Sequence, residues 1–409
     1  MKIVYFTDMF FPQINGVITS LATIASALAK NGHEIYIFIP RPGRHQKVNW
    51  SAPGVKIETL PSLPGLFYPD LRAASPISFN LLTKLRKIDP DILHFQTQFL
   101  VGGGSIFLGK LLRKPILGSF HGYIMEPEYL KLAKVDHIKG LPTILWTYSK
   151  WFYDQCDGVL TFAESVKRDL VAHKIKRPIQ VIPNTISESC TQKLPDKKVA
   201  ELKQTLNLKK NVILYVGRVS PEKSLDVLVD SFSKVIQKQP DTSLLIIGDG
   251  PCRKSLEEQV LKLGLTNNVV FTGILSTEKL LTGGYYQLAD LFATASTSEV
   301  QPVSIIEAMY FELPIVGVNK RGVGDMIRDC GLLAKPGNTN QLAQHMLDVI
   351  NKPSLKTTLS NKSQKKYEAV YSLDKVVKAY EEYYKTFIPE NEPRRGSLSA
   401  RIFRKLTFR

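Results

Sequence analysis

Glu299-Val300-Gln301-Pro302-Val303-Ser304-Ile305-Ile306-Glu307 is the stretch of sequence that decides the fold. It lies between two short apolar runs, Leu291–Ala295 and Leu313–Val318, which are typical of buried strands. A strand, a loop, a helix and a second strand in this order predict a parallel sheet with helices on its faces. In such sheets, ligands bind at the carboxyl ends of the strands.

The two acidic residues of this stretch are the first candidates for ligand binding. Glu299 falls on the predicted loop, and Glu307 falls in the first turns of a helix predicted from Ile305 to Phe311. Both carboxylates can accept hydrogen bonds from sugar hydroxyls. Because a helix N-terminus favours anions, we also expect the amides of Val300 to Val303 to face a phosphate or a sugar hydroxyl. A solvated Glu beside a helix-surface Glu is the alternative.

Length and composition indicate a globular protein with more than one core. A chain of 409 residues, 44% of them hydrophobic and 22% charged, should form two or three domains. The four cysteines are widely spaced, which argues against a disulfide framework or a zinc site and fits a reducing compartment. We find no signal-peptide pattern and no apolar run near 18 residues, so we expect no membrane span.

The net charge of +17 predicts an anionic partner. A nucleotide diphosphate, an anionic membrane surface and a nucleic acid all satisfy that requirement. A basic nucleic-acid-binding protein is therefore the non-enzymatic alternative. The buried strands and the paired carboxylates Glu299 and Glu307 speak against it, so we expect no nucleic-acid partner.

The first half of the chain begins with a βαβ pattern. Apolar residues from Lys2 to Thr7 and from Glu34 to Pro40 predict strands, and Ser20–Lys30 has helical spacing. Gly16 lies just before that helix, where a missing side chain lets backbone approach a ligand and the helix end attracts phosphate. An ordinary βα turn explains the glycine equally well.

A histidine follows a later strand of the same half directly. His121 comes after the strand predicted over Pro115–Ser119, so it should point into the crevice at the sheet's carboxyl edge. A structural histidine is the alternative. On another strand, Asp91-Ile92-Leu93-His94-Phe95-Gln96 ends in Gln96, for which we infer no role.

The second half opens with a buried strand over Asn211–Val216 and a basic loop. Arg218 and Lys223 lie on that loop at a helix start, and together they can hold a diphosphate, Arg through its fork and Lys as a point charge. A solvated basic loop is the alternative. The polar, Lys-rich residues 187–208 are interpreted as the linker between the halves.

Two basic amphipathic segments suit an anionic membrane surface. Lys131–Trp151 interleaves lysines with aromatic residues, and Arg394–Arg409 holds six bases and no acid, with Phe403 and Phe408 among its apolar residues. A core helix with a solvated face is the alternative for the first segment, and a solubilising tail is the alternative for the second.

Along the chain, His121, the basic loop and the carboxylate pair follow one another in the order found in the retaining GT-B glycosyltransferases with an E-x7-E motif, the family 4-like glycosyltransferases, which this sequence resembles. The stretch from Glu299 and the loop Asn15-Gly16-Val17 look most like the branch that glucosylates diacylglycerol. The resemblance implies an α/β fold of two Rossmann-like, doubly wound domains that face each other across a cleft. Its implied divisions are residues 1–186, completed by a helix at 373–388, residues 187–372, and a basic tail at 389–409.

The resemblance also implies a role for each motif residue. Gly16 would lie beside the donor diphosphate, which Arg218 and Lys223 neutralise, and His121 would contact the donor sugar. Glu299 would hold sugar hydroxyls, and Glu307 would hold the ribose. The remaining donor-binding positions follow two strand ends that flank the nucleotide base in the family: Gly248, Ile274 and Leu275. The family's second strand-end histidine is Gln96 here, and its glycine after Lys223 is Ser224.

The implied activity is transfer of a hexose, with glucose from a UDP-sugar as the expected donor, to a membrane lipid such as diacylglycerol. The enzyme would act on the inner face of the cell membrane from the cytoplasm. The sequence requires no metal and no cofactor, since it shows no cluster of metal ligands. A soluble transferase that builds polysaccharide or a small glycoside is the alternative, followed by a GT-B sugar-nucleotide epimerase.

Overall fold

The structure, a computed structural model, describes residues 1–11, 16–44, 46–64, 72–74, 79–126, 130, 135–187 and 191–388. The basic tail from residue 389 and the lysines at 131 and 134 lie outside this part. In the part that is described, no helix has both the length and the apolar character needed to cross a membrane.

The first domain is built on a seven-stranded parallel sheet in the order β3-β2-β1-β6-β7-β8-β9. Its strands are β1 (Lys2–Phe6), β2 (Glu34–Pro40), β3 (Val55–Leu60), β6 (Ile92–Phe95), β7 (Ile116–Ser119), β8 (Gly158–Thr161) and β9 (Ile179–Val181), and a separate hairpin pairs β4 (Ser62–Pro64) with β5 (Arg72–Ala74). Its helices are α1 (Gly16–Lys30), α2 (Phe79–Ile88), α3 (Leu100–Leu112), α4 (Leu141–Tyr153) and α5 (Glu164–Ala172).

The second domain is built on a six-stranded parallel sheet in the order β12-β11-β10-β13-β14-β15. Its strands are β10 (Asn211–Val216), β11 (Thr242–Ile247), β12 (Val269–Gly273), β13 (Leu291–Ala293), β14 (Ile315–Val318) and β15 (Gly331–Ala334). Its helices are α6 (Asp196–Thr205), α7 (Leu225–Lys238), α8 (Arg253–Lys262), α9 (Thr277–Thr282), α10 (Val303–Tyr310), α11 (Arg321–Ile327), α12 (Thr339–Asn351) and α13 (Pro353–Lys366). A π-helical turn over Tyr367–Tyr371 leads to α14 (Leu373–Lys385).

Continuous apolar runs explain why the strands are central and parallel. All four residues of β6, β7 and β8 are buried, as are all six of β11. Strands that are covered by helices on both faces need such runs rather than an alternating pattern. The strand order changes direction beside β1 in the first sheet and beside β10 in the second, and ligand sites form at such switch points.

The last helix packs on the first domain. Val376, Tyr380 and Tyr384 of α14 lie in the same apolar core as β1 and β6, although almost the whole second domain separates them in the sequence. Tyr384 also donates or accepts a hydrogen bond of 2.8 Å with Tyr5 on β1. The chain therefore crosses between the domains twice.

The structure corrects the interpretation of residues 187–208 as a linker. Residues 196–205 form α6, and Val199 and Leu202 pack on the apolar core of the second domain, followed by Leu206. These positions are spaced by three and four residues, so they share one side of a helix whose other side carries lysines. The high lysine content concealed this pattern.

Two predicted helices begin earlier than the sequence analysis placed them. The first starts at Gly16 rather than Ser20, and the helix after Glu299 covers Val303–Tyr310 rather than Ile305–Phe311. In the second case Pro302 precedes the first helical residue, a position that suits its fixed backbone angle. Glu307 consequently lies in the second turn of α10.

Candidate active site

The carboxyl ends of β10 and β13 bring two predicted site residues into contact. These strands are neighbours in the second sheet, with Ile213 paired to Leu291. Lys223 follows β10 on a single 3-10 turn, and Glu299 lies on the loop after β13. The Lys223 ammonium forms an ion pair with the Glu299 carboxylate, although 76 residues separate them. The predicted diphosphate-binding and sugar-binding groups are therefore adjacent.

Arg218 lies on the same loop as Lys223 but is exposed. Its backbone carbonyl accepts a hydrogen bond of 3.2 Å from the hydroxyl of Tyr215, which fixes the loop where it leaves β10. The guanidinium is thus left at the surface of the strand-end loop. Such a group can approach an anionic ligand without losing a buried partner.

Glu307 is buried on α10, and its pKa is raised. Only 6% of it is exposed, and its carboxylate accepts a hydrogen bond from the hydroxyl of Tyr286. Burial raises the pKa of Glu307 to about 7, and the Tyr286 hydroxyl opposes part of that rise. The ring of Tyr286 is held by stacking on Phe311 at 5.2 Å between centroids. Tyr286 could not be predicted from the sequence, because no motif contains it.

The residues between the two carboxylates connect the domains. Val300 lies in the apolar core of the first domain, and the side-chain oxygen of Gln301 accepts a bond of 2.5 Å from the amide of Asn184. Asn184 in turn accepts a bond of 2.6 Å from the hydroxyl of Ser20 on α1. The side chains of Val300 and Gln301 therefore serve the domain contact, and Pro302 has no N–H to donate. Donor contacts through the backbone amides of Val300, Gln301 and Val303 remain a prediction.

The glycines predicted for donor binding differ in what requires them. A Cβ built on Gly16, at the start of α1, would meet no atom within 4 Å, so packing does not explain this glycine. At Gly248 the backbone has φ +138°, and a Cβ would lie 1.9 Å from the carbonyl oxygen of Gly217. Gly248 is therefore needed for the close approach of the loops after β10 and β11.

The end of β12 presents two apolar residues. Ile274 is 70% exposed, which is unusual for an isoleucine beside a strand end, whereas Leu275 packs partly on the core of the second domain. They follow Gly273, whose carbonyl oxygen accepts a bond of 2.9 Å from the amide of Gly248. The strand ends predicted to flank a nucleotide base are therefore bonded to each other.

His121 lies at the carboxyl edge of the first sheet and is oriented by Gln96. Its Nε2 is 2.9 Å from the Gln96 side-chain oxygen, and its ring lies 4.5 Å from that of Phe162. Because that oxygen can only accept, Nε2 carries the proton and Nδ1 keeps its lone pair. Desolvation lowers the pKa of His121 to about 3, so the ring is neutral at neutral pH.

Gln96 is the site residue whose role the sequence analysis did not infer. It is 5% exposed and follows β6, where its amide donates a bond of 2.8 Å to the carbonyl of Phe6 on β1. A buried amide oxygen aimed at His121 fixes the ring without adding charge. Its position two residues after His94 was the available signal.

His94 connects elements of the fold by hydrogen bonds. It is fully buried, with Nδ1 2.8 Å from the Tyr384 hydroxyl and Nε2 2.8 Å from the Ser119 hydroxyl. This chain of hydrogen bonds ties α14 to β7, which ends two residues before His121. Among the residues described, no group of three His, Cys, Asp or Glu side chains is placed to hold a metal ion.

Two family models match the two domains. Residues 14–189 match the family described as Glycosyltransferase Family 4, and residues 196–366 match the family described as Glycosyl transferases group 1. The two matches abut near residue 190 and together span most of the chain.

Several known proteins are similar along the chain. The alpha-monoglucosyldiacylglycerol synthase of Streptococcus pneumoniae is 28% identical over 422 aligned residues, which cover 100% of this chain and 92% of that protein. The alpha-monoglucosyldiacylglycerol synthase of Acholeplasma laidlawii is 26% identical and covers 96% and 98%. Among solved structures, HepE of Anabaena in complex with UDP superposes with a TM-score of 0.74 at 19% identity, covering 94% of this chain and 100% of that one.

Proposed function

The chain belongs to the GT-B glycosyltransferases that join a Family 4 domain to a group 1 domain. On that premise, we propose that it transfers a hexose from a UDP-sugar to diacylglycerol with retention at the anomeric carbon. The observation that carries the proposal is the contact between Lys223 and Glu299 at the ends of adjacent strands. A cation for the diphosphate and an acceptor for sugar hydroxyls lie side by side there. A sugar nucleotide carries its diphosphate directly beside its sugar, so it could contact both groups at once.

The proposed chemistry needs positive charge where the leaving group develops negative charge. The acceptor hydroxyl oxygen forms a bond to C1 of the sugar while the bond from C1 to the diphosphate oxygen breaks. The proton of the hydroxyl passes to the departing phosphate, on the same face of the sugar. Lys223 and Arg218 stabilise the diphosphate, and no metal is invoked.

Three further residues hold the donor in this proposal. Glu299 accepts hydrogen bonds from the sugar hydroxyls, and Glu307 accepts them from the ribose. Neutral His121 offers the lone pair of Nδ1 to a sugar hydroxyl, since its Nε2 proton is engaged by Gln96. A cationic imidazole could not accept this bond, so the low pKa of His121 suits the role.

The lipid acceptor is supported by the relatives and by an apolar face on the first domain. The two relatives with full-length matches are named as synthases of a glucosyldiacylglycerol. On α3, Leu100, Phe107 and Leu111 share one side of the helix and are half or more exposed. Exposed apolar residues scattered singly are ordinary, whereas a set that shares one side of a helix points to a partner or a membrane.

Helix α4, which packs beside α3, carries two exposed apolar residues of its own. Trp151 is 59% exposed and Ile144 61%, and the two are seven residues apart on one side of α4. The helices pack together, because the Tyr148 hydroxyl donates a bond of 2.7 Å to the carbonyl of Gln98, two residues before α3. We define the apolar face as Leu100, Phe107, Leu111, Ile144 and Trp151.

In this proposal, basic residues near the apolar face attract the anionic headgroups of lipids. Lys150 lies on α4 beside Trp151, and Lys110 lies on α3, each with a hydrogen-bonding partner in the protein. The tail Arg394–Arg409 would add attraction of about 1 kcal/mol for each base near an anionic surface. The protein would then bind the membrane reversibly through its first domain.

The experiment that tests the function is a product analysis. Wild-type protein and Glu299→Gln are each incubated with UDP-glucose, UDP-galactose or GDP-mannose and vesicles of a total lipid extract, and the lipids are examined by mass spectrometry. We expect a hexosyl-diacylglycerol from a UDP-hexose with wild type and little product with the variant. Sugar transfer only to soluble acceptors, or release of the nucleotide without a lipid product, would contradict the proposal.

A further inference from the structure

Helix α11 of the second domain sends an arginine into the first domain. One guanidinium nitrogen of Arg321, Nη2, is 2.5 Å from Oε1 of Glu126, and the guanidinium lies 4.1 Å from the centre of the Tyr123 ring. A second nitrogen, Nε, is 3.8 Å from Asp169 on α5. The Tyr123 hydroxyl donates a bond of 2.6 Å to the same Asp169, so the three first-domain residues form one surface around the guanidinium.

A second charged residue of α11, the acidic Asp325, also contacts α5 of the first domain. The carboxylate of Asp325 accepts a hydrogen bond of 2.7 Å from the amide of Ser165, in the first turn of α5. It also lies 3.6 Å from Arg168 on that helix. A carboxylate at a helix N-terminus satisfies an amide that has no partner within the helix. We call Arg321, Asp325, Tyr123, Glu126, Asp169 and Ser165 the interdomain cluster.

The interdomain cluster is joined to the two loops that carry the candidate active-site residues. Glu126 lies five residues after His121 on the same loop of the first domain. Next to Arg321, the amide of Gly322 donates a bond of 3.0 Å to the carbonyl of Glu299. A Cβ on Gly322 would lie 1.9 Å from the carbonyl oxygen of Val300, so the start of α11 is pressed against the Glu299 loop.

The ion pair between Arg321 and Glu126 is largely buried, so losing it should cost more free energy than losing a surface pair. The side chains of Arg321 and Glu126 are 21% and 19% exposed, which places them between the domains rather than on the surface. Breaking a desolvated ion pair by removing one partner leaves the other charge without compensation, and this costs more than breaking an exposed pair. The pair should therefore influence how closely the domains meet.

Resting on the proposed function, we infer that Arg321 is a positioning residue: its ion pair with Glu126 holds the His121 loop against the Glu299 loop and thereby sets the rate of sugar transfer. The two loops come from different domains, and each carries one side of the candidate active site. Arg321 does not need to touch the donor for this role. A loss of registration of about 1 Å between reacting groups can reduce the rate by about 100-fold.

The test is a double-mutant cycle in the full-length protein with Glu126→Gln, Arg321→Gln and the double variant. We expect each single variant to lower kcat about 10- to 100-fold. We expect the dissociation constant of UDP to stay within about twofold, since the side chains proposed to hold the nucleotide, Arg218, Lys223 and Glu307, all lie in the second domain. The double variant should be no slower than the slower single variant, because the two side chains act through one contact.

The matched control is Arg328→Gln. It removes the same charge just after α11, from an exposed residue whose guanidinium donates a hydrogen bond of 3.3 Å to Asn319 of the same domain. It should retain wild-type kcat. Small-angle X-ray scattering of the ligand-free proteins supplies a readout that does not depend on activity. The radius of gyration should increase in the Glu126 and Arg321 variants and not in the control.

Unchanged kcat in both single variants, rate losses that multiply in the double variant, or weakened UDP binding equal to the loss of kcat would overturn the inference. If wild type glycosylates no lipid, the proposed function fails, whereas scattering still tests the contact. A radius of gyration that stays unchanged in all variants would then overturn the role of Arg321 in holding the domains together.

Discussion

At the scale of single residues, the contact between Lys223 and Glu299 places the proposed cation for the diphosphate beside the proposed acceptor for sugar hydroxyls. The sequence predicted both residues because each follows a buried strand in a motif with fixed spacing. It could not predict that they touch, since strand order in the sheet decides which loops are neighbours. The orientation of His121 by Gln96 was hidden for the same reason, because β6 and β7 become neighbours only in the folded sheet.

Removal of either cation should slow the reaction strongly. We predict that Arg218→Ala and Lys223→Ala each lower kcat/KM by about 10²–10³, the usual cost of losing one group that stabilises developing charge. Steady-state kinetics with a UDP-hexose measures this. Lys209→Ala, which removes a lysine before β10, should leave kcat/KM unchanged. Activity within about threefold of wild type in both site variants would show that the diphosphate is held elsewhere.

The raised pKa of Glu307 predicts a pH dependence of stability. The folded protein holds the Glu307 proton more tightly than the unfolded chain, whose glutamates titrate near pH 4.5. The contribution of Glu307 to the free energy of unfolding is therefore most favourable below about pH 4.5 and is lost as the pH rises to about 7. Relative to wild type, Glu307→Gln should gain stability between pH 5 and pH 8, by at most about 3 kcal/mol.

Chemical denaturation of wild type and Glu307→Gln at pH 5 and pH 8 measures that gain. Glu312→Gln, at a partly exposed glutamate that pairs with Lys193 on the turn after the same helix, is the control and should show no pH-dependent difference from wild type. A difference between wild type and Glu307→Gln that is the same at both pH values would mean that Glu307 is not held in its protonated form by burial.

At the scale of helices and strands, apolar runs predicted the central strands well, because parallel strands covered on both faces leave little ambiguity. Helix α6 was missed, because Val199 and Leu202 are embedded among lysines and its stability comes from packing on the second domain. The contact of α11 with α5 was also invisible, since Arg321 resembles any solvated arginine at a helix start. Its importance depends on Glu126 and Asp169, which lie in the other domain.

Helices α3 and α4 carry the prediction for membrane binding. Phe107→Ser together with Trp151→Ser should reduce binding to anionic vesicles about tenfold or more, because two large apolar side chains can no longer enter the interface. Vesicle sedimentation measures this. Leu261→Ser, at an exposed leucine on α8 of the second domain, should bind like wild type. Equal sedimentation of the double variant and wild type would exclude the apolar face as a docking surface.

At the scale of the whole molecule, the two sheets present their carboxyl edges to a common cleft, and the chain crosses between the domains twice. The network of Tyr5, Tyr384, His94 and Ser119 ties the returning helix α14 to the sheet that positions His121. The net charge of +17 suits a protein that meets a diphosphate donor and an anionic surface. Fold and candidate site therefore both favour chemistry carried out between the domains.

The measurement that tests this account most directly is the anomeric configuration of the lipid product. The protein is given UDP-glucose, whose sugar is α-linked, and vesicles that contain diacylglycerol, and the purified glycolipid is examined by proton NMR. We predict an α-glucosyl-diacylglycerol, since the bond to the lipid forms on the face that the diphosphate leaves. A β-linked product, or the absence of any glucosylated lipid while UDP-glucose still binds, would contradict it.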